Sequence, residues 1–276
     1  MPYAASYAAL SATTPLEPFT IERRVPGPLD VQIEITFCGI CHSDIHQARD
    51  EWGGSRFPMV PGHEITGTVT AVGEEVKRFA VGDRVGVGVM CASCGVCEPC
   101  RKGLEQFCQG KSSMTYNGVE PDGVTPTYGG YSTSIVATER FVLRMPDSVP
   151  LDAGAPLLCA GITLYSPLRH WGAGPGMRVG IVGLGGLGHL GVKIAAALGA
   201  EVALFTHSAA KAEDARRMGA SDVIFSNDAA AMKSVRNSFD LIISTVSAPM
   251  DLSPYLDALR YDSTLVLVGL PDTMPT

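Results

Sequence analysis

The segment Gly183-Leu184-Gly185-Gly186-Leu187-Gly188 stands between an apolar run of strand length, Arg178–Val182, and an amphipathic stretch, Leu187–Leu198. A G-x-G-x-x-G turn in that setting dictates the fold around it. Gly183 permits the tight turn, Gly185 lets backbone approach a pyrophosphate, and Gly188 allows helix to pack closely on strand, with phosphates at the helix N-terminus. A packing-driven glycine cluster is the bland reading in a chain with 31 glycines. The strand before and the helix after argue against it. Downstream, strand-like runs at Glu201–Thr206, Asp222–Phe225, Leu241–Thr245 and Thr264–Val268 alternate with helical stretches at Ala209–Met218, Ala229–Arg236 and Asp251–Arg260. This alternation predicts an α/β unit with a doubly wound parallel sheet.

The end of the second strand bears on which dinucleotide fits. An NAD site places Asp or Glu about 20 residues past the fingerprint, where it accepts from the ribose hydroxyls. Here the strand ends Phe205-Thr206-His207-Ser208, without an acid. Thr206, Ser208 and Lys211 could instead donate to a 2′-phosphate, with His207 contributing if protonated, so NADP is expected. Lys211 as a merely solvated residue would not change the missing acid.

The first half reads differently. Short β-like runs at Val31–Phe37, Gly67–Val72, Asp83–Val87 and Tyr131–Val136 are cut by Gly, Pro and Asp. They predict a compact, mostly β, barrel-like domain spanning residues 1–150, followed by a dinucleotide domain over 151–276, with Met145–Pro150 as the boundary. Within the first domain, Cys94-x2-Cys97-x2-Cys100-x7-Cys108 places four thiols in a lobe near residues 91–110. Four thiolates at such spacings suit one tetrahedral zinc, leave no open coordination position, and so predict a structural site. Unliganded thiols would invite oxidation. A zinc-ribbon nucleic-acid module is the other reading, against which the chain's net charge of −7 counts.

The same charge argues against a nucleic-acid or anionic-membrane surface as the main partner. Met1–Leu10 has no basic, apolar leader pattern, and the apolar stretch Ile194–Phe205 is interrupted by Gly199 and Glu201, so neither secretion nor a membrane span is expected. A cytoplasmic setting, in which the eight cysteines are thiols or metal ligands, follows as the expectation.

A second set of chemically active residues is dispersed: Cys38-Gly39-Ile40-Cys41-His42-Ser43-Asp44-Ile45-His46, Pro61-Gly62-His63-Glu64, and Leu157-Leu158-Cys159-Ala160-Gly161-Ile162-Thr163. Spacing alone does not connect these segments. Together with the four-cysteine lobe and Gly183–Gly188, they resemble the zinc-dependent medium-chain alcohol dehydrogenases, and within them the NADP-dependent group like cinnamyl alcohol dehydrogenase.

The resemblance covers nearly the whole chain. It implies a GroES-like β-barrel catalytic domain followed by a Rossmann-type sheet. It also implies two zinc ions per chain, one catalytic and one structural, and hydride transfer between NADP(H) and aliphatic or aromatic primary alcohols and aldehydes. By that resemblance Cys41, His63 and Cys159 hold the catalytic zinc, with water, substrate or Glu64 in the fourth position. Asp44 orients His63, while Ser43 and His46 relay the alcohol proton. Gly186, Leu187, Thr163, Thr245 and Val268 join the cofactor site. Trp52 lines the substrate pocket, with Met90 and Leu270 as further candidates.

Duller readings remain beside these: Asp44 as a helix cap, His46 as a surface histidine, Cys38 and Cys91 as packing residues. His42 is left without a role. The missing acid argues against an NAD-dependent polyol dehydrogenase. Relatives continue by roughly 70 residues that supply the last sheet strand and a homodimer strand, so a sheet lacking its last strand is expected. A zinc-stabilised but inactive nucleotide-binding fragment is the alternative from a different class.

Overall fold

The computed structural model describes residues 3–271. Two compact units divide between Cys159 and Ala160. In the first, β1 (Tyr3–Ala8) and β2 (Glu17–Glu22) form an antiparallel hairpin. Then follow β3 (Asp30–Cys38), α1 (His42–Ala48), β4 (Ile65–Val72), β5 (Arg84–Val87), β6 (Met90–Ala92), α2 (Glu98–Arg101), β7 (Ser113–Met114), β8 (Ser134–Thr138), β9 (Val142–Arg144) and α3 (Leu151–Gly154). The main sheet is antiparallel in the order β8-β3-β4-β5-β9. Val31, Ile33, Ile65, Val69, Val85, Val87, Ile135 and Val142 pack one core on it, each fully buried aliphatic contributing roughly 1.5–3 kcal/mol.

Three features of this sheet position chemistry. The β3–β4 register shifts between Ile35 and Phe37, next to the end of β3, and such bulges re-aim a strand end. The Gly39 N–H then donates to the Glu64 carbonyl at 2.9 Å, so the segments bearing Cys41 and His63 leave the sheet side by side. Residues after the expected boundary belong to this unit as well: Thr66 Oγ1 donates to the Leu151 carbonyl at 2.9 Å, and Leu158 is buried against Gly86 and Gly88. This packing carries Cys159 to the same edge. The division therefore lies after Cys159 rather than within Met145–Pro150.

The second unit contains α4 (Ala160–His170), β10 (Arg178–Val182), α5 (Gly186–Ala197), β11 (Glu201–Thr206), α6 (Ala212–Arg217), β12 (Asp222–Phe225), α7 (Ala229–Ser234), β13 (Phe239–Ser244), α8 (Ser253–Ala258) and β14 (Leu259–Leu267). Its five strands are parallel in the order β12-β11-β10-β13-β14. In the sheet's own strand numbers that is 3-2-1-4-5, and among the described residues no sixth strand pairs with it.

Two expectations need correction here. The stretch Asp251–Arg260 is helical only to Ala258, because Leu259 pairs with Phe239 and Arg260 forms an ion pair with Asp240 at 2.7 Å. The run starting at Tyr131 becomes strand only from Ser134, because Gly129, Gly130 and Tyr131 donate their N–H groups to Val60, Gly62 and Pro61. Among the described residues no helix is long and apolar enough to cross a membrane.

Candidate active site and dinucleotide turn

Cys41 directly precedes α1, His63 precedes β4, and Cys159 follows a short 3-10 turn, Ala155–Leu158. Cys41 Sγ and Cys159 Sγ are 3.8 Å apart, His63 Nε2 lies 3.2 Å from Cys159 Sγ, and one donor atom from each of Cys41, His63, Glu64 and Cys159 falls within 4.8 Å of all the others. Two sulfurs bound to one tetrahedral zinc at about 2.3 Å stand about 3.8 Å apart, so the pair fits that ion. The other ring nitrogen, His63 Nδ1, is 3.0 Å from Asp44 Oδ1. Donating there leaves Nε2 as the metal-facing lone pair. Asp44 also accepts the Cys41 N–H at 3.0 Å and the Gly62 N–H at 3.0 Å. It thus caps α1 and orients His63 with one carboxylate, so the two readings of this residue are compatible.

Charge is shared tightly in this cluster. The Cys41 thiol is held down to about 4, first by the hydrogen bond from the Cys159 thiol and then by those from His63 and Ser43. Cys159, as that donor and as a half-buried group, is pushed far up. Burial disfavours a charged His63, yet Asp44 and the Cys41 thiolate outweigh burial and raise it to about 10. Glu64 is raised to about 7 by burial and by repulsion from Cys41. A divalent ion would displace the protons on His63 and Cys159.

A cavity of about 290 Å³ opens on the cluster, and His63, Cys159, Ser43 and Trp52 all line it. His46 is not among the lining residues. Its ring stacks on Trp52 at 4.7 Å and on His42 at 5.0 Å, and Nδ1 meets Glu51. Met90 sits in β6 while its neighbour Val89 lines the cavity. Gln47, Met114, Tyr116 and Asn117 complete the wall and escaped the sequence reading. Asn117 has φ +54 and joins Gln47 Oε1 to the Arg56 N–H. Its sequence signal was the Asn117-Gly118 pair, a turn signature.

The second cluster is local. Cys94, Cys97, Cys100 and Cys108 bring their sulfurs within 4.8 Å of one another, with Cys94 and Cys100 at 3.9 Å. The backbone N–H groups of Val96 and Cys97 hold the Cys94 thiol down to about 6. Cys91 is buried apart from them, beside the Ser113 carbonyl.

In the second unit the glycine turn joins β10 to α5. Gly183 has φ +88, and a Cβ on Gly188 would lie 2.0 Å from the Gly183 carbonyl oxygen, so both positions require glycine. Gly185 and Gly186 face open space, and the first turn of α5 has no side-chain cap. Its free N–H groups fit a pyrophosphate. Lys211 Nζ donates to the Leu184 carbonyl at 3.0 Å, which sets it beside the turn. Thr206 is buried and its Oγ1 accepts the Ser208 N–H, whereas Ser208 is half-buried and His207 exposed. Thr245 Oγ1 donates to the Val182 carbonyl at 2.8 Å, and the Val268 N–H to the Ser244 carbonyl at 2.9 Å. Both lie at the carboxyl ends of the strands, where open α/β sheets bind ligands. Thr163 is half-buried on α4.

Residues 27–147 match the alcohol dehydrogenase GroES-like domain family, and residues 186–276 the zinc-binding dehydrogenase family. The chain belongs to the zinc-binding alcohol dehydrogenases. Among the members of that family it is 56% identical to the NADP-dependent alcohol dehydrogenase C of Mycobacterium bovis, over 97% of this chain and 77% of that protein. A cinnamyl alcohol dehydrogenase from Sorghum bicolor has the same fold with a TM-score of 0.95 at 44% identity, over 99% of this chain and 78% of that one. CAD from Helicobacter pylori, in complex with NADP(H), gives a TM-score of 0.91 at 43% identity, over 98% of this chain and 76% of that one. The chain thus spans about three quarters of the length of these relatives.

Proposed function

We infer that this chain is a zinc-dependent oxidoreductase that moves hydride between NADP(H) and primary alcohols or aldehydes. The observation that carries the reading is the convergence of Cys41, His63 and Cys159, two of which, His63 and Cys159, line a cavity walled by Trp52, Val89, Met114 and Tyr116. Those three residues would hold zinc, with Glu64 near enough to exchange in the fourth position. When bound, zinc supplies Lewis-acid polarisation of the substrate oxygen, and the nicotinamide supplies or takes the hydride.

The rest is done by the chain. Asp44 fixes the His63 ring, and the apolar wall keeps water from the substrate. Ser43, on the cavity surface, accepts the proton of the substrate hydroxyl during oxidation as its own hydroxyl proton passes on toward solvent, and the exchange runs in reverse during reduction. The family resemblance makes His46, against Glu51 and Trp52, the solvent-side end of that relay. The aromatic Trp52 and Tyr116 favour an aromatic or unsaturated aldehyde over a compact polar one. Gly183–Gly188 would cradle the pyrophosphate of NADP(H), while Ser208 and Lys211 would donate to its 2′-phosphate. Cysteines that serve as thiolate ligands suit a reducing, cytoplasmic setting.

The test combines metal analysis with NADPH oxidation by cinnamaldehyde. Two zinc ions with turnover support the reading, whereas two zinc ions without turnover support an inactive nucleotide-binding fragment. Tighter binding of NAD than of NADP in titration would overturn the cofactor assignment.

A further inference from the structure

All four acceptor positions of the buried Asp44 carboxylate are taken. Oδ1 accepts from His63 Nδ1 and the Gly62 N–H, and Oδ2 from the Cys41 N–H and, at 3.2 Å, the Tyr131 hydroxyl. Three of these donors lie on the ligand-bearing segments themselves. The fourth comes from a segment that contributes no ligand.

That segment is built to aim the hydroxyl. The Tyr131 N–H donates to the Pro61 carbonyl at 2.9 Å, and its own carbonyl accepts the Tyr7 N–H at 2.9 Å. Gly129 and Gly130, just before it, bind the Val60 and Gly62 carbonyls at 2.7 and 2.8 Å. Neither position admits a side chain: a Cβ at Gly129 would sit 2.3 Å from the Pro61 oxygen, and one at Gly130 2.3 Å from Ile65 Cγ1. At Gly62, with φ +103, a Cβ would come within 2.7 Å of Tyr131 Cδ1, so the ring lies against the residue preceding His63. The glycines thus hold the phenol ring against the His63 segment, with its hydroxyl on Asp44.

Resting on the zinc assignment above, we propose that Tyr131 is a positioning residue for the metal site: its hydroxyl fixes the rotation of the Asp44 carboxylate, and through it the plane of the His63 ring. A carboxylate torsion is broad unless both oxygens are held. Without Tyr131, Oδ2 keeps only the Cys41 N–H against two donors on Oδ1, so the carboxylate rocks and holds Nδ1 less tightly in the orientation that points Nε2 at the metal. Tyr131 itself touches neither ligand sulfur nor substrate cavity among the contacts described.

The experiment uses the full chain as wild type, Tyr131→Phe, Asp44→Asn and the double variant. Zinc affinity is measured against a chromophoric chelator, with Cys159→Ala as the reference that retains only the four-cysteine site. Cobalt absorption reports ligand geometry. Tyr131→Phe is expected to weaken zinc at the dispersed site about tenfold and to shift the cobalt bands. It should spare the lobe and add nothing in the Asp44→Asn background. Unchanged affinity and spectrum overturn the proposal, as does a loss that persists when Asp44 is Asn. A variant that fails to fold, or loosens both sites together, assigns Tyr131 a purely structural role and overturns it as well. A wild type whose zinc content equals that of Cys159→Ala overturns the metal assignment, and the role of Tyr131 with it.

Discussion

The two cysteine clusters solve the same ligand problem in opposite ways. In the lobe, Cys94, Cys97, Cys100 and Cys108 lie close in sequence, and loop backbone supplies the polar partners that lower the Cys94 thiol. At the cavity, Cys41, His63 and Cys159 come from three distant segments, held together by the main sheet and by the carboxylate of Asp44. The lobe offers four sulfurs and no free position. The dispersed cluster offers three strong ligands, a half-protonating Glu64 and an open cavity. Closed sites stabilise, and open ones react.

Breaking each cluster in turn should separate these roles. Cys159→Ala is expected to lower kcat on the order of 10³-fold, the loss of several kcal/mol of Lewis-acid stabilisation. Metal analysis should show the lobe zinc retained, and retained activity would sink the catalytic assignment. Cys100→Ala should do the reverse, lowering thermal stability by about 10 °C, equivalent to about 3 kcal/mol. Calorimetry together with assays at low temperature checks that the surviving folded fraction still turns over.

Protons sharpen the contrast further. Between the Cys41 value of about 4 and the His63 value of about 10, the zinc-free ligands carry one proton on His63 and one on Cys159, with a further proton on Glu64 below about 7. Zinc must displace those on His63 and Cys159, so its apparent affinity should rise with pH, approaching 100-fold per unit for two protons. Chelator competition between pH 6 and 8 measures the slope, and a flat profile at this site would contradict the arrangement of charges described. A smaller effect, though larger than that of Tyr131→Phe, is expected of Asp44→Asn, which keeps the shape but turns a donor toward either His63 or a backbone N–H. Zinc affinity should fall about 10- to 100-fold at the dispersed site and stay constant at the lobe.

Legibility followed the same division. Arg178–Val182, Glu201–Thr206 and Asp222–Phe225 were readable to the residue, because buried parallel strands are continuous apolar runs bounded by glycine or polar turns. The hairpin strand Tyr3–Ala8 was not, since its inward residues are Ala4, Ser6 and Ala8 while Tyr3 and Tyr7 face out. That inverts the usual hydrophobic alternation. The first residues of β14 were read as helix because exposed Arg260, Tyr261 and Asp262 carry no strand pattern, and pairing with β13 decides them. The lobe was legible from spacing alone. The dispersed ligands were joined only through a family resemblance, and Tyr131, Gln47 and Asn117 not at all, since their roles arise from tertiary hydrogen bonds between segments far apart in sequence.

The lobe has one more consequence for the cavity. Val89 immediately precedes β6, Met114 ends β7, and the four cysteines occupy the loop between those paired strands. Two adjoining wall residues of the cavity are thus the ends of a loop whose closure costs more entropy the longer and looser it is. A metal gripping the middle of that loop shortens its effective length and fixes where its ends meet. An ion there, with no part in the chemistry, would thereby help set which aldehydes fit, and loosening it should blur substrate preference before it slows hydride transfer.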